Sequence, residues 1–122
     1  NLTFVSTADL PPRIAAARAA AAEAGRRPED LVISVMAPAI SGPDEPTYRR
    51  HLEAVAAADP FGRTPEALEA RLRERGLPIG PAPEARRALE DLAALGVSRF
   101  YLQHLGPFDP GLLGATFSAL RD

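Results

Sequence analysis

The chain has 122 residues, enough for one domain, and its 14 arginines against 16 acidic residues give a formal net charge of −2. This balance excludes the strongly positive field of a protein that binds nucleic acid, and no apolar run reaches the about 18 residues of a membrane-spanning helix. The chain has no cysteine, which excludes a disulfide framework and a thiolate site, and we expect a cytoplasmic protein.

The first third of the chain predicts a short strand, a helix and a buried strand. Residues 2–6 are a brief β-prone run. Asp9 precedes two prolines that suit a first helical turn, and the helix that follows is expected to end at Gly25. Residues 31–37, LVISVMA, are almost continuously apolar and rich in β-branched side chains. That pattern is typical of a strand covered on both faces, and Pro38 is expected to end it.

Two helices are predicted in the middle of the chain. The first spans about residues 44–58. The stripe that it is expected to bury consists of Tyr48, Leu52 and Val55. His51 lies beside this stripe, which we interpret as a surface position. The second helix opens at Thr64-Pro65 and closes at Gly76.

The last third predicts one further strand between two helices. Residues 76–83, GLPIGPAP, have the glycine and proline content of a connection. A helix with an apolar stripe follows and ends at Gly96, and residues 97–103, VSRFYLQ, are predicted to form a strand. Asp109-Pro110 then starts a final helix. The side chains predicted to face inward from it are Leu113, Phe117 and Leu120.

The alternation of helices that end in glycine with buried-type strands predicts a parallel α/β architecture. Two well-marked strands and one weak one are too few for a stable parallel sheet, because both of its faces need covering. Two explanations stay open at this point. Either the strands join the sheet of a partner, or the chain is the last part of an eight-stranded β/α barrel.

Two segments carry a resemblance to a known family. Residues 80–107, GPAPEARRALEDLAALGVSRFYLQHLGP, and residues 13–38, RIAAARAAAAEAGRRPEDLVISVMAP, resemble the C-terminal part of the luciferase-like monooxygenase superfamily. The motifs are soft, since they consist of alternation and turn residues and contain no invariant catalytic signature. One departure is visible, because Gly80 to Glu84 offer no hydroxyl where the family has a threonine helix cap.

The resemblance implies a TIM-type (β/α)8 barrel of parallel strands with covering helices. Residues 31–37 would be its seventh strand and residues 97–103 its eighth. Residues 1–122 would then form the C-terminal segment of one barrel domain, from about the end of strand six to helix eight, with no separate second domain. About the first two-thirds of a barrel of roughly 250 residues would lie outside this chain.

The resemblance also implies a function. Members of the superfamily use reduced FMN with oxygen, or the deazaflavin coenzyme F-420, for hydride transfer or monooxygenation of a small-molecule substrate. The intact parent is therefore expected to be an oxidoreductase, and the isolated segment to be inactive. The expected partner is a second copy in a homodimer or the complementary N-terminal barrel segment. The alternative is a non-catalytic assembly or binding module, an incomplete barrel that associates with itself.

In such a barrel the active site lies at the C-terminal ends of the strands. From the strand at 31–37 this selects Ser34, Met36 and Ala37, and from the other it selects Tyr101, Gln103, His104 and Gly106. Of these, the five candidate site residues are Ser34, Met36, Tyr101, Gln103 and His104. His104 is the candidate catalytic acid or base, because an imidazole with a pKa near 6.5 can hold or release a proton.

The other four residues are candidates for binding the cofactor. Gln103 would hydrogen-bond the edge of a flavin or deazaflavin, and Met36 would form a wall against its ring. Four of the five candidates have an ordinary structural alternative, which is a backbone bond for His104, a bond within its own sheet for Ser34, a loop bond for Gln103 and core packing for Met36. Two histidines without ligand spacing predict no metal site.

Overall fold

The computed structural model describes residues 1–3, 6–106 and 109–121. Five strands and five α-helices follow one another along these residues. They are β1 Leu2–Thr3, α1 Leu10–Glu23, β2 Ser34–Pro38, β3 Ile40–Gly42, α2 Glu45–Ala57, α3 Pro65–Glu74, β4 Ile79–Pro81, α4 Ala82–Ala94, β5 Arg99–Gln103 and α5 Pro110–Arg121. Residues 4 and 5 of the first predicted strand lie outside the described residues.

All pairings between the described strands are parallel, so the predicted α/β class with parallel strands and covering helices is confirmed. One sheet has the order β1-β2-β5, and a second joins β3 to β4. The central pair aligns Ser34 with Arg99 and Pro38 with Gln103. Parallel neighbours need a long crossover connection, which helices α2, α3 and α4 supply here.

The prediction that Pro38 ends its strand is confirmed. Pro38 is the last residue of β2, and after Ala39 the chain continues as a separate strand, β3. The break between them coincides with a change of neighbour, because β2 pairs with β5 up to Pro38 and β3 pairs with β4 from Ile40. Pro38 has no backbone N–H to donate, and it lies at the point where the ladder of hydrogen bonds between strands is interrupted.

The segment 76–83 is more than a connection. Its residues Ile79 to Pro81 form β4 beside β3, and α4 begins immediately afterwards at Ala82. The predicted lack of a helix cap is confirmed within the described part of the chain, where Pro81 precedes α4 and no side chain caps its start. A cap is present on α2, where the Asp44 carboxylate accepts a hydrogen bond from the Thr47 backbone N–H at 2.8 Å.

The main core lies between the sheets and helices α1 to α4. Among the buried side chains are Val35 from β2, Ile40 from β3 and Ile79 from β4, and the predicted stripe of α2 is buried with them. Val35 and Ala37 occupy alternate positions and therefore belong to one face of β2, which is the face that contributes to this core. None of the helices among residues 6–106 and 109–121 is both long and apolar enough to cross a bilayer.

Two predictions about helix faces are wrong. His51 is buried, with 1% of its surface exposed, because it lies three residues after Tyr48 and widens the buried stripe of α2. On α5, Phe117 is half exposed, whereas Thr116 and Ala119 are buried. The rotation of α5 is therefore set by a polar contact of Thr116 and not by its largest apolar side chain.

Candidate active site

Four of the five residues predicted for the site share one face of the parallel pair β2-β5. The register places Met36 beside Tyr101 and Pro38 beside Gln103. Side chains of a strand alternate between its two faces, so Ser34 and Met36 lie on one face of β2 and the aligned Tyr101 and Gln103 on the same face of β5. This face is opposite to the one that carries Val35 and Ala37 into the core.

The shared face, which we call the polar sheet face (Ser34, Met36, Tyr101 and Gln103), is more exposed on β5 than on β2. Tyr101 is 46% exposed, and its hydroxyl lies 3.4 Å from the Arg99 guanidinium. Met36 and Gln103 are half-buried, and Ser34 is buried. A phenol, a thioether, an amide and a hydroxyl together suit a ligand that has both an aromatic surface and hydrogen-bonding edges.

Ser34 and Gln103 differ in how well their polar atoms are satisfied. The Ser34 hydroxyl donates a hydrogen bond to Asn1 Oδ1 at 2.9 Å, so it is engaged within the structure. Gln103 Oε1 is buried and accepts no hydrogen bond from the described residues. A buried acceptor without a donor costs about 1–3 kcal/mol. Gln103 is therefore the residue of this face with the most to gain from an N–H or O–H of a ligand or water.

His104, the residue after β5, lies next to a histidine of the helical layer. Its ring centroid is 5.7 Å from that of His51 on α2, with an angle of 31° between the two planes. The structure therefore brings His104 together with His51, a residue that the sequence did not identify as part of a site.

His51 belongs to a buried polar group that also contains Ser41 of β3 and Thr116 of α5. The Thr116 hydroxyl donates to the Ser41 backbone carbonyl at 2.9 Å, and His51 Nδ1 lies 3.3 Å from the same carbonyl and 3.1 Å from Thr116 Oγ1. The Ser41 hydroxyl donates to the Gly80 carbonyl of β4 at 2.8 Å. We call Ser41, His51, His104 and Thr116 the histidine cluster. It brings together β3, α2, α5 and the residue that follows β5.

The hydrogen bonds fix the tautomer of His51. A carbonyl oxygen can only accept, so the bond to Ser41 requires the proton on Nδ1, and Nε2 is then the unprotonated nitrogen of the neutral ring. Nε2 is buried and has no hydrogen-bond partner among the described residues. Burial lowers the pKa of His51, which the bond to the Ser41 carbonyl partly opposes. His51 is therefore a neutral ring in the folded protein at neutral pH.

The histidine cluster does not have the composition of a metal centre. Across the described ranges, no three or more histidine, cysteine, aspartate or glutamate side chains converge to hold an ion. A structural zinc or calcium site needs at least that many protein ligands. What the cluster offers chemically is a neutral imidazole, a hydroxyl and a second imidazole at the C-terminal ends of the strands.

The sequence did carry a signal for His51, because its spacing from Tyr48 and Val55 fits the i, i+3, i+7 pattern of a buried helix face. Thr116 had no such signal. Comparison of the chain with protein-family models, with curated proteins and with solved structures found no match. The functional assignment accordingly depends on the sequence resemblance and on the geometry of the polar sheet face.

Proposed function

We propose that the chain is the C-terminal part of a luciferase-like (β/α)8 barrel and acts in a flavin- or F-420-dependent oxidoreductase. The observation that carries the proposal is the polar sheet face. In a closed barrel of parallel strands, one face of each strand lines the interior and the other packs on the helices. The face with Val35 and Ala37 already packs in the core, so the polar sheet face is the one that would line the interior.

The residues of this face fit a flavin or deazaflavin in chemical type. The pyrimidine edge of both cofactors presents an N–H between two carbonyls. The Gln103 side-chain oxygen can accept a hydrogen bond from this N–H, and its amide nitrogen can donate one to a carbonyl. Met36 offers a polarisable side chain for the flat ring system, and Tyr101 an aromatic one. The bound cofactor would supply hydride exchange, while these residues bind it, orient it and exclude water.

His104 takes the role of proton donor or acceptor in this proposal. It follows Gln103 directly at the C-terminal end of β5, where barrel enzymes hold their reacting groups. Its contact with the neutral His51 ring gives it a neighbour without charge at neutral pH. A histidine so placed can exchange a proton with a substrate beside the cofactor.

The replacement of Gln103 by alanine tests the proposal in a protein that contains this segment in its complete barrel. FMN and F-420 are titrated separately, and binding is followed by their fluorescence. We expect one of them to bind, and the variant to bind it about tenfold more weakly, which corresponds to one hydrogen bond of about 1.4 kcal/mol. The matched control is Glu90→Ala, an exposed residue of α4, which should leave the affinity unchanged. Absence of binding for both cofactors would exclude the proposal.

A second candidate is a non-catalytic module that assembles with itself, in the simplest case as a homodimer. The sheet order favours it. β1 and β5 each pair with one described strand, β2, so each has a second edge at which another strand can pair. Tyr101 on β5 adds exposed aromatic surface beside that edge.

For the assembly candidate, size-exclusion chromatography with light scattering on the chain alone is expected to give a mass of two or more chains. The aspartate variant Tyr101→Asp should shift the mass toward one chain, because a carboxylate at the contact must lose its hydration. The exposed Glu90→Asp variant is the control and should keep the mass of the wild type. A single-chain mass for the wild type at high concentration would contradict self-assembly.

A further inference from the structure

A recess at the C-terminal ends of the strands lies apart from the polar sheet face. It encloses about 300 Å³ and is bordered by Pro38, which is the last residue of β2, and by Leu105 and Gly106, which follow β5. Its other walls come from the end of α2, the loop between α2 and α3, and α3 itself. The volume is at the lower end of the range of small-molecule pockets.

The inner wall of the recess is apolar. Val55 of α2 and Leu68 and Leu72 of α3 are buried core residues, and each contributes to the lining. Phe61, in the loop between the helices, stands at the rim with 78% of its surface exposed. An aromatic side chain left this exposed beside an apolar cavity provides area that a ligand could cover.

The charged groups of the recess are three arginines and one aspartate. Asp59 and Arg63 neutralise each other through two hydrogen bonds of 2.6 and 2.9 Å, and the bonded guanidinium lowers the pKa of Asp59 to about 2. Arg63 also lies over the Phe61 ring, 4.9 Å from its centre. The aspartate therefore stays ionised and paired with Arg63, and the other two arginines of the lining lie at the end of α3.

These two arginines, Arg71 and Arg75, lie four residues apart at the end of α3, so both face the same side of the helix. Both line the recess. In the part of the chain that the structure describes, Arg71 forms no ion pair, whereas Arg73 between them is bonded to Glu69 at 2.9 Å. Glu69 is thus bonded to Arg73 and to Arg49 of α2, and Arg71 keeps its donors for another acceptor.

We propose that this recess binds a small organic anion, with a carboxylate or phosphate monoester attached to a compact aromatic group. The anionic oxygens accept hydrogen bonds from Arg71 and offset its positive charge, since a guanidinium matches the geometry of such oxygens. The aromatic group covers Leu68, Leu72 and the ring of Phe61. The proposal is independent of the oxidoreductase function, because none of these residues belongs to the polar sheet face.

Phenyl phosphate, inorganic phosphate and benzyl alcohol are the probes that separate the parts of this site. Each is titrated into the full chain and binding is measured by calorimetry and by NMR shifts. We expect phenyl phosphate to bind at least tenfold more tightly than either of the other two, because only it has both the anion and the ring. Equal binding of phenyl phosphate and inorganic phosphate would overturn the apolar half of the proposal. Absence of phenyl phosphate binding would overturn all of it.

Two variants test the residues. Arg71→Gln should weaken phenyl phosphate binding at least tenfold, and Phe61→Ala should weaken it severalfold while leaving the weak binding of inorganic phosphate unchanged. Arg121→Gln removes an exposed arginine of α5 and is the matched control, expected to bind as the wild type does. Circular dichroism checks that each variant is folded. If the Arg71 and Arg121 variants lost equal affinity for phenyl phosphate, the binding would come from general charge attraction, and the proposed site would be excluded.

Discussion

Replacing Gly42 with alanine is expected to lower the free energy of unfolding by about 1–3 kcal/mol, the usual cost of forcing an extra group into a packed region. Gly42 is the last residue of β3, directly before the loop into α2. A Cβ atom at this position would lie 2.7 Å from the Tyr48 backbone nitrogen and 3.0 Å from the Thr47 backbone carbon. Backbone atoms cannot rotate away as a side chain can, so the start of α2 would have to move.

Such a movement would be costly because α2 carries much of the core. Tyr48, Leu52 and Val55 are all buried on this helix, and His51 bonds from it to β3. Gly114→Ala is the matched control, since a Cβ atom there meets nothing within 4 Å. Within α5 this change should stabilise the protein by up to about 1 kcal/mol. Urea denaturation of both variants measures the difference, and a Gly42 variant as stable as the wild type would contradict the packing described here.

Local patterns predicted the central strands and most helices, because the signals are themselves local. Residues 31–37 are apolar and β-branched, and the structure places β2 at Ser34–Pro38 within and just beyond them. Ser34, Met36, Tyr101 and Gln103 were selected because they lie toward the C-terminal ends of the two strands in the barrel that the resemblance implies, and the register brings them to one face. Because successive side chains of a strand point to opposite faces, the sequence shows which residues share a face of the sheet once the ends of the strands are known.

What the sequence did not predict depends on contacts between distant residues. β4 consists of Ile79, Gly80 and Pro81, of which the glycine and the proline disfavour a strand, and it forms beside β3. Phe117 completed an apolar stripe on α5, but the bonds of Thr116 to Ser41 and His51 fix the helix in another rotation. A buried polar bond outweighs an apolar side chain that can stay half exposed at little cost.

The two candidate sites also differ in how far the sequence alone could predict them. The polar sheet face is formed by residues whose alternation is visible in the sequence. The arginine-lined recess combines the end of α2, the following loop, α3 and the residues after β5. In the sequence, Arg71 and Arg75 read as part of an ordinary charged helix face. Only the folded structure shows that the guanidinium of Arg73 is bonded to Glu69, whereas Arg71 forms no ion pair among the described residues.

The stability of the protein is expected to decrease as the pH falls below about 6.5, and His51 is the cause. Its folded-state pKa lies below the usual value of 6.5, because burial disfavours the charged ring. In the interval between the two values the unfolded chain binds more protons than the folded one, so stability is lost as the pH falls and is fully present above 6.5. The groups that face His51 are the Ser41 carbonyl, the Thr116 hydroxyl and the His104 ring, with Asp109 acting electrostatically.

His51→Asn isolates this effect, because the asparagine amide can still donate to the Ser41 carbonyl in place of Nδ1 but cannot titrate. We expect the wild type to lose stability between pH 7 and 5 and the variant to have a much flatter profile, as measured by urea denaturation at each pH. The effect is large because protonation puts a charge and an N–H on Nε2, which is buried without a partner among the described residues. His104→Gln removes a ring that contributes less than burial to the lowered pKa of His51, and this variant should keep most of the wild-type slope. Parallel profiles for the wild type and the His51 variant would mean that another group controls acid stability.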